Sequence, residues 1–207
     1  MSSLGLNTLI LIVTALVSIS AFNDQNLKYR LTLSPYAVKH SNRWWLLFTH
    51  GFVHGDSMHL LFNMIALYSF GNLIEMVFVY EFGKIAGMLM YAGLYFGGLL
   101  FATLPAMVKH GDDFNYLSLG ASGAVSAVLM TSILIFPLEN ISLFFSINMP
   151  AWLFGILYIG FELYANKNSR GNIAHDAHLA GLLFGLIFVS VTMPQVLSNF
   201  LIQMGLS

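Results

Sequence analysis

The segment GASGAVSAVLM (residues 120–130) places a serine among small residues at the start of a long apolar run. Four small residues share one face of the predicted helix and allow another backbone to approach closely: Gly120, Gly123, Ala124 and Ala127. Ser122 has two interpretations. A serine in a membrane helix usually bonds back to a carbonyl one turn earlier, but neighbouring glycines also leave room for a substrate backbone to reach its hydroxyl. The rest of the chain has to decide between them.

The composition predicts that the bilayer is the main solvent of this chain. Of its 207 residues, 57% are hydrophobic and 8% are charged, whereas soluble domains carry about 25% charged residues. So few charges cannot cover a water-facing surface. A formal net charge of −1 gives no basis for nucleic-acid binding, which needs a basic patch. The absence of cysteine excludes disulfides, thiolate catalysis and Cys-ligated zinc.

Six apolar stretches approach the length of about 17–25 residues that crosses a bilayer, which predicts an all-α, polytopic membrane protein. They cover residues 4–22, 57–80, 83–105, 119–136, 150–165 and 178–201. The first lacks the basic region of a cleaved signal peptide and is expected to be a retained span. With both termini on one side, all seven histidines fall at or near the opposite membrane face. The chain is expected to form one domain over residues 1–207.

The segment THGFVHGDSMHLLFNM (residues 49–64) brings histidines to the start of the second span. Asp56 and Ser57 are the two candidate helix N-caps. His59 then lies in the first turn, and Asn63 lies about 6 Å deeper on the same face. Such side chains are costly in lipid unless they have partners. They act either as hydrogen-bonding glue between helices or as donors to a reacting group.

The segment AHDAHLAGLLFG (residues 174–185) begins the last span. Gly181 and Gly185 form a G-x-x-x-G face for close helix packing. His178 is either a solvated loop histidine beside that face or a functional base. The apolar run that follows it weakens the solvated interpretation. His175, one turn earlier, can be read as a simple loop residue.

Together these segments predict a polar site beneath one membrane face. Ser122 and His178 both lie at the same-side ends of spans that have small faces. A neutral imidazole beside a hydroxyl can take its proton as the oxygen attacks a carbonyl, and His59 and Asn63 are suited to donate hydrogen bonds to the resulting oxyanion. Asp176 lies two residues from His178, and such residues do not face each other on a helix. We therefore expect a Ser–His dyad without a catalytic acid.

At this point the chain resembles the rhomboid family of intramembrane serine proteases, over nearly its whole length. Three motifs carry the resemblance in the right order on the right spans: His-x4-His-x3-Asn at His54, His59 and Asn63, Gly-Ala-Ser-Gly at residues 120–123, and Ala-His-x2-Gly-x3-Gly at residues 177–185. Glu75, four residues after Gly71, also resembles the family. The fold implied is a six-helix, rhomboid-like bundle.

The resemblance implies an endopeptidase that cleaves single-span membrane proteins near a helix end. Ser122 is the implied nucleophile and His178 the base, and the implied oxyanion hole combines His59, Asn63 and the backbone N–H of Ser122. Five residues are expected to support or line the site: Gly120, Gly123, His54, Ser126 and His175. Substrates are expected to enter laterally between spans two and five, past three gate residues: Phe62, Tyr158 and Phe161. The expected partners are transmembrane substrates and the lipid bilayer; no cofactor and no metal are expected.

Two positions depart from the pattern of many family members. An aromatic residue that stacks on the histidine often follows the serine by one turn. This chain has Ser126 there, which leaves open how His178 is held. His175 stands where some members have an asparagine, a hydrogen-bonding position that can help to order the loop over the site.

Other functions remain open from the sequence. A non-catalytic rhomboid-like binder of membrane helices would keep the glycine faces but would normally lose Ser122 or His178. Zinc could be bound by His50, His54 and His59, or by His175 and His178, although no H-E-x-x-H motif is present. A proton-coupled transporter would need midplane carboxylates, and the two buried candidates, Glu75 and Glu162, lie near span ends.

Orientation is predicted differently by two arguments. Seven basic residues lie on the histidine-rich side: Lys28, Arg30, Lys39, Arg43, Lys109, Lys167 and Arg170. The positive-inside rule would place that side in the cytoplasm. The family resemblance implies a site that opens to the non-cytoplasmic side. We follow the resemblance and expect a multi-pass protein of a bacterial inner membrane.

Overall fold

The computed structural model describes residues 5–143, 147–168 and 174–206. Its elements, in chain order, are α1 (Leu6–Asn23), α2 (Gln25–Leu31), α3 (Pro35–Ser41), α4 (Leu46–Thr49), α5 (Ser57–Ala66), α6 (Asn72–Phe82), α7 (Lys84–Phe101), α8 (Leu104–His110), α9 (Ser122–Ile135), β1 (Asn140–Leu143), β2 (Ile147–Pro150), α10 (Ala151–Asn168), α11 (His175–Thr192) and α12 (Gln195–Gln203). A 3₁₀ turn at His50–Phe52 follows α4, and a π-helical segment at Leu67–Gly71 joins α5 to α6. The two strands pair antiparallel, with Asn140 opposite Pro150.

Each of the six predicted spans is largely helical in the structure. Within the described residues, four helical stretches are long and apolar enough to cross a membrane: Leu6–Asn23, Ser57–Phe82, Lys84–His110 and His175–Thr192. The helix α9 is a shorter apolar helix of the same kind, and α10 occupies the fifth predicted span. The prediction of an all-α, polytopic membrane protein is confirmed.

The structure corrects several predicted boundaries. The last span, predicted at residues 178–201, is divided into α11 and α12 at Met193 and Pro194, because proline has no N–H to donate and its ring crowds the preceding turn. Residues 137–149, which connect the fourth and fifth predicted spans, contain most of a β-hairpin. His175 is the first residue of α11 rather than a loop residue. Arg170, one of the predicted basic residues, lies outside the described residues.

The helix α9 forms the centre of the bundle. Eleven of its 14 residues are buried. Its side chains are mostly small, and the largest are leucine, isoleucine and methionine. Its small residues allow α7 and α11 to approach closely: Ala127 lies against Gly98 of α7 and Gly185 of α11. The candidate nucleophile therefore lies at the end of a helix that is buried along most of its length.

The backbone contact between α9 and α11 depends on glycine. A Cβ atom at Gly181 would overlap the carbonyl oxygen of Gly123, and a Cβ atom at Gly185 would overlap that of Ala127. Gly123 in turn has no room for a side chain, because it faces the Cβ of Ala102 at the end of α7. The predicted G-x-x-x-G face is thus the surface on which α11 packs, and it brings the first turn of α11 beside the first turn of α9.

We expect Gly181→Ala to lower the thermal stability of the protein, because the added methyl group pushes α11 away from the rigid backbone of α9. Overpacking of this kind costs about 1–3 kcal/mol, and thermal unfolding in detergent micelles measures it. Gly160→Ala is the matched control, since nothing lies within 4 Å of a Cβ at that position. Equal unfolding temperatures for the two variants would contradict the packing argument.

Glu75 joins the second span to the first, far from the candidate site. Its carboxylate accepts hydrogen bonds from the backbone N–H groups of Leu6 (2.6 Å) and Asn7 (2.9 Å) at the start of α1. A carboxylate at a helix N-terminus is favoured by the helix dipole. Glu75 is buried, and it lies about 27 Å along the helix axis from Ser57.

Candidate active site

Ser122 is the first residue of α9. Gly120, two residues before it, has a φ of 114°, and a Cβ atom there would lie 2.7 Å from the ring of His59. Glycine is therefore required at this position for both its backbone conformation and its packing. Because the helix begins at Ser122, its first backbone N–H groups have no partner within the helix. The positive end of the helix dipole also lies there.

His178 meets Ser122 across the contact between α9 and α11. Its Nε2 lies 2.7 Å from the Oγ of Ser122, although the two residues are 56 positions apart in the chain. The His178 side chain is 13% exposed, so it is neither solvated nor fully enclosed. For Nε2 to accept the hydroxyl proton, the neutral ring must carry its own proton on Nδ1.

A buried carboxylate lies behind His178. Glu162 of α10 is 2% exposed; its Oε1 lies 3.0 Å from Nδ1 of His178, and its Oε2 lies 2.7 Å from Nδ1 of His175. This differs from the predicted dyad without an acid. Asp176, the acidic residue next to His178 in the sequence, pairs instead with Lys109 of α8 at 2.7 Å. An ionisable residue inside an apolar span is a signal of function, and Glu162 carried that signal.

His59 lies at the Ser122 end of α9, and Asn63 follows it one turn later on α5. The His59 ring packs against Gly120, and the Asn63 amide donates to the carbonyl of His59 at 2.9 Å. The amide has a second N–H, which can donate to a further acceptor. Asp56 caps α5 by accepting from the backbone N–H of His59 at 2.8 Å. This bond lowers the pKa of the Asp56 carboxyl below its usual value.

His50 and His54 hold the backbone that leads into Ser122. The N–H of Gly120 donates to the carbonyl of His50 at 2.9 Å, and the N–H of Ala121 donates to Nε2 of His54 at 3.4 Å. Burial lowers the pKa of His50 to about 4 and that of His54 to about 3. Both rings are therefore neutral at pH 7, which leaves Nε2 of His54 able to accept.

The tautomer of His54 follows from its partners. The hydroxyl of Ser18 donates its one proton to the carbonyl of Phe52 at 2.9 Å, so it must accept from Nδ1 of His54, 2.8 Å away. His54 is then protonated on Nδ1 and accepts on Nε2, as its bond from Ala121 requires. The first span thereby helps to fix the backbone beside Ser122. The supporting role of His50 was missed, because it uses a backbone carbonyl that no motif records.

One group of side chains could hold a metal ion within the described ranges: Glu162, His175 and His178, whose ligand atoms all lie within 4.8 Å of one another. The ring nitrogens of His50, His54 and His59 do not form a second group of this kind within the described ranges. In the first group each histidine has one ring nitrogen within hydrogen-bond distance of a carboxylate oxygen. Hydrogen bonds alone are sufficient to hold these three side chains together.

The predicted gate and lining residues lie in two different environments. Phe62 and Phe161 are 49% and 58% exposed, and their role as gate residues stays a prediction. Tyr158 instead packs inward, with its hydroxyl 3.3 Å from the Oγ of Ser126. Phe161 also lies edge-on to the ring of His175, with the ring centroids 5.9 Å apart.

The fold and the site define a polytopic helical membrane protein with a serine–histidine pair at the start of a buried helix. The chain belongs to the rhomboid family: the model of the rhomboid domain matches residues 41–195. The predicted family is thereby confirmed, together with its rhomboid-like fold and its multi-pass membrane character. The matched segment includes Ser122, His178, His59 and Asn63.

Relatives of this chain come from organelles and from bacteria. It is 34% identical over 171 residues to RHOMBOID-like protein 12, mitochondrial, of Arabidopsis thaliana. This match covers 77% of this chain and 49% of the relative. It is 27% identical over 170 residues to Rhomboid protease GlpG of Haemophilus influenzae, and this match covers 80% of this chain and 78% of the relative. Rhomboid protein 1, mitochondrial, of Saccharomyces cerevisiae is 31% identical over 66% of this chain and 38% of its own length.

The chain spans about half the length, or less, of the mitochondrial relatives that it matches. Several relatives are named for mitochondria and one for chloroplasts. The predicted location in a bacterial inner membrane is therefore not supported.

Proposed function

We propose that this protein is an intramembrane serine endopeptidase that cleaves single-span membrane proteins near a helix end. One observation carries the proposal: the 2.7 Å hydrogen bond between Nε2 of His178 and Oγ of Ser122. Membership of the rhomboid family and similarity to a relative named as a rhomboid protease support it. A protein that only binds membrane helices has no need to preserve this pair.

In acylation, Oγ of Ser122 attacks the carbonyl carbon of the scissile peptide while its proton passes to Nε2 of His178. The carbonyl electron pair moves onto oxygen and gives a tetrahedral oxyanion. When the C–N bond breaks, the leaving amine takes the proton from Nε2, and the acyl group stays on Ser122 as an ester. Water then repeats the sequence: it loses a proton to Nε2, attacks the ester carbon, and Oγ of Ser122 leaves with that proton.

The oxyanion forms beside three donors in this proposal. They are the backbone N–H of Ser122 at the positive end of α9, the side-chain amide of Asn63 and the ring of His59. Preorganised donors of this kind stabilise charge strongly because they do not need to reorient during the reaction. The hydrogen bonds that the N–H groups of Gly120 and Ala121 donate to His50 and His54 explain how the Ser122 N–H is kept in place.

The substrate in this proposal is an extended segment of a membrane helix that enters between α5 and α10. Exposed Phe62 and Phe161 supply an apolar surface on the two sides of that route. A helix must unwind before its carbonyl can reach Ser122, so small residues near the end of the substrate helix favour cleavage. The site is proposed to open to the non-cytoplasmic side, as the family resemblance implies.

A fluorophosphonate probe tests the proposed nucleophile without knowledge of the substrate. We expect the wild-type protein in detergent to be labelled at Ser122, because His178 activates this hydroxyl. Ser122→Ala and His178→Ala are expected to lose labelling. Ser132→Ala is the matched control, since it removes another buried serine of α9 nearly three turns from Ser122, and it is expected to keep labelling. A wild-type protein that is folded but unlabelled would favour the non-catalytic, helix-binding alternative.

A further inference from the structure

Building on the proposed function, we propose that Glu162 is a positioning residue that converts the Ser122–His178 pair into a hydrogen-bonded triad. In this triad the carboxylate fixes the tautomer and orientation of His178. It also stabilises the imidazolium that forms when Nε2 takes the serine proton. Glu162 acts through His178 and touches no substrate atom.

The first support is the order of the atoms. Oγ of Ser122 lies 2.7 Å from Nε2 of His178, and Nδ1 of the same ring lies 3.0 Å from Oε1 of Glu162. Only the tautomer with its proton on Nδ1 can both donate to the carboxylate and accept the serine proton. A carboxylate at this position selects that tautomer, as the aspartate does in soluble serine proteases.

The second support is burial. Glu162 is 2% exposed, and burying a carboxylate in an apolar span is costly unless it is hydrogen-bonded. Each of its oxygens has an imidazole partner, Oε1 with His178 and Oε2 with His175 at 2.7 Å. A carboxylate serves both rings because it accepts at both oxygens, whereas a glutamine amide would offer one acceptor and one donor.

The third support is the residue one turn after Ser122. Ser126 occupies the place from which an aromatic ring could stack on the imidazole, and its hydroxyl faces Tyr158 instead. A serine cannot hold the ring by stacking. The hydrogen bond from His178 to Glu162 gives the base a fixed orientation by another means, from α10 instead of α9.

A purely structural role for Glu162 is the alternative to be separated. Because Glu162 bonds to two residues of α11, it could serve only to fix α10 against α11. Such a role predicts loss of stability in a Glu162 variant without a change in the chemical step. The experiment therefore needs a readout that responds to the charge beside His178 and not to stability alone.

Glu162→Gln in the full chain, reconstituted in liposomes with a single-span substrate, provides this test. We expect kcat to fall about 10²–10⁴-fold, with KM changed less than about twofold, since Glu162 does not touch the substrate. Glu162→Asp keeps the charge and is expected to recover part of kcat. Glu75→Gln is the matched control: it removes another buried carboxylate, destabilises the start of α1 and leaves kcat unchanged.

The pH profile of kcat gives the decisive readout. Removing the negative charge makes the imidazolium harder to form, so the acidic limb of the Glu162→Gln profile is expected to shift to lower pH. Two other ionisable rings lie near His178: His59 of α5 and His175 of α11. Tyr158 of α10 interacts with the Glu162 carboxylate, and Asp176 of α11 pairs with Lys109 of α8. Glu162→Gln leaves all of these groups unchanged. An unshifted limb with unchanged kcat would overturn the proposal.

Two further measurements keep the proposal testable if Glu162→Gln does not fold. Nitrogen-15 NMR of the wild-type imidazoles in nanodiscs must find the resting proton of His178 on Nδ1, and a proton on Nε2 would overturn the proposal. Activity must also survive chelator treatment. Loss with EDTA and recovery with zinc would mean that Glu162, His175 and His178 bind a metal instead.

The outcomes separate this inference from the proposed function. If the wild-type protein cleaves, Ser122→Ala does not, and Glu162→Gln cleaves at the wild-type rate, only the role of Glu162 is wrong. If Ser122→Ala cleaves as well as the wild-type protein, the proposed function itself fails.

Discussion

Cleavage of a single-span substrate in liposomes is expected to fall to background in Ser122→Ala. In His178→Ala it is expected to fall about 10⁴–10⁶-fold. Without the hydroxyl no acyl-enzyme can form, and without the imidazole the hydroxyl keeps its proton at neutral pH. Because nucleophile and base act as a unit, the double variant is expected to be no slower than Ser122→Ala. Initial rates from a fluorescent or gel-based cleavage assay measure all three.

Folding has to be separated from chemistry in these variants. Both changes remove side-chain atoms at the starts of α9 and α11, while the glycine contact at Gly181 is left intact. We therefore expect unfolding temperatures close to that of the wild-type protein. His40→Ala is a suitable control, since this exposed histidine on the predicted site side pairs with Asp112 and lies outside the proposed machinery. Cleavage by a folded Ser122→Ala variant at a wild-type rate would exclude serine catalysis.

The second large effect is expected at the oxyanion donors. Asn63→Ala and His59→Ala should each lower kcat about 10²–10³-fold, the usual effect of removing one such donor. KM should change little for Asn63→Ala, because the donor acts mainly on the charge that develops during the reaction. Single-turnover cleavage rates separate this effect from product release.

His59 needs a second measurement because it also packs against Gly120. If His59→Ala disturbs the loop before Ser122, fluorophosphonate labelling and cleavage fall together with thermal stability. The Asn63 variant is then the cleaner test of the donor role. A kcat for folded Asn63→Ala within twofold of the wild-type value would remove Asn63 from the oxyanion hole.

Much of this fold could be predicted from residue patterns. The length and hydropathy of the apolar runs predict the spans, and the small residues of α9 and α11 predict which helices approach closely. The three motifs also predicted that Ser122, His178 and His59 lie at one end of the bundle, whereas the role of Asn63 beside them stays a prediction. Those predictions depend on local periodicity, which a single sequence displays directly. The prediction of one domain over residues 1–207 stays a prediction.

Glu162 could not be assigned in the same way. Its helix, α10, is apolar around most of its circumference, so the sequence does not determine how the helix is rotated about its axis. Which of its side chains points at α11 is decided by packing between residues far apart in the chain. The same holds for the hydrogen bond from Ala121 to His54, which depends on the tautomer set by Ser18 of α1.

The tight seam between α9 and α11 has a consequence for biogenesis. Ser122 is translated 56 residues before His178. The two side chains meet only after α11 has packed on Gly123 and Ala127 of α9. A partly inserted chain therefore carries a serine that is chemically inert. In the proposed mechanism, proteolytic activity would therefore appear only after α11 has packed on α9, and a partly inserted chain would leave neighbouring proteins uncut.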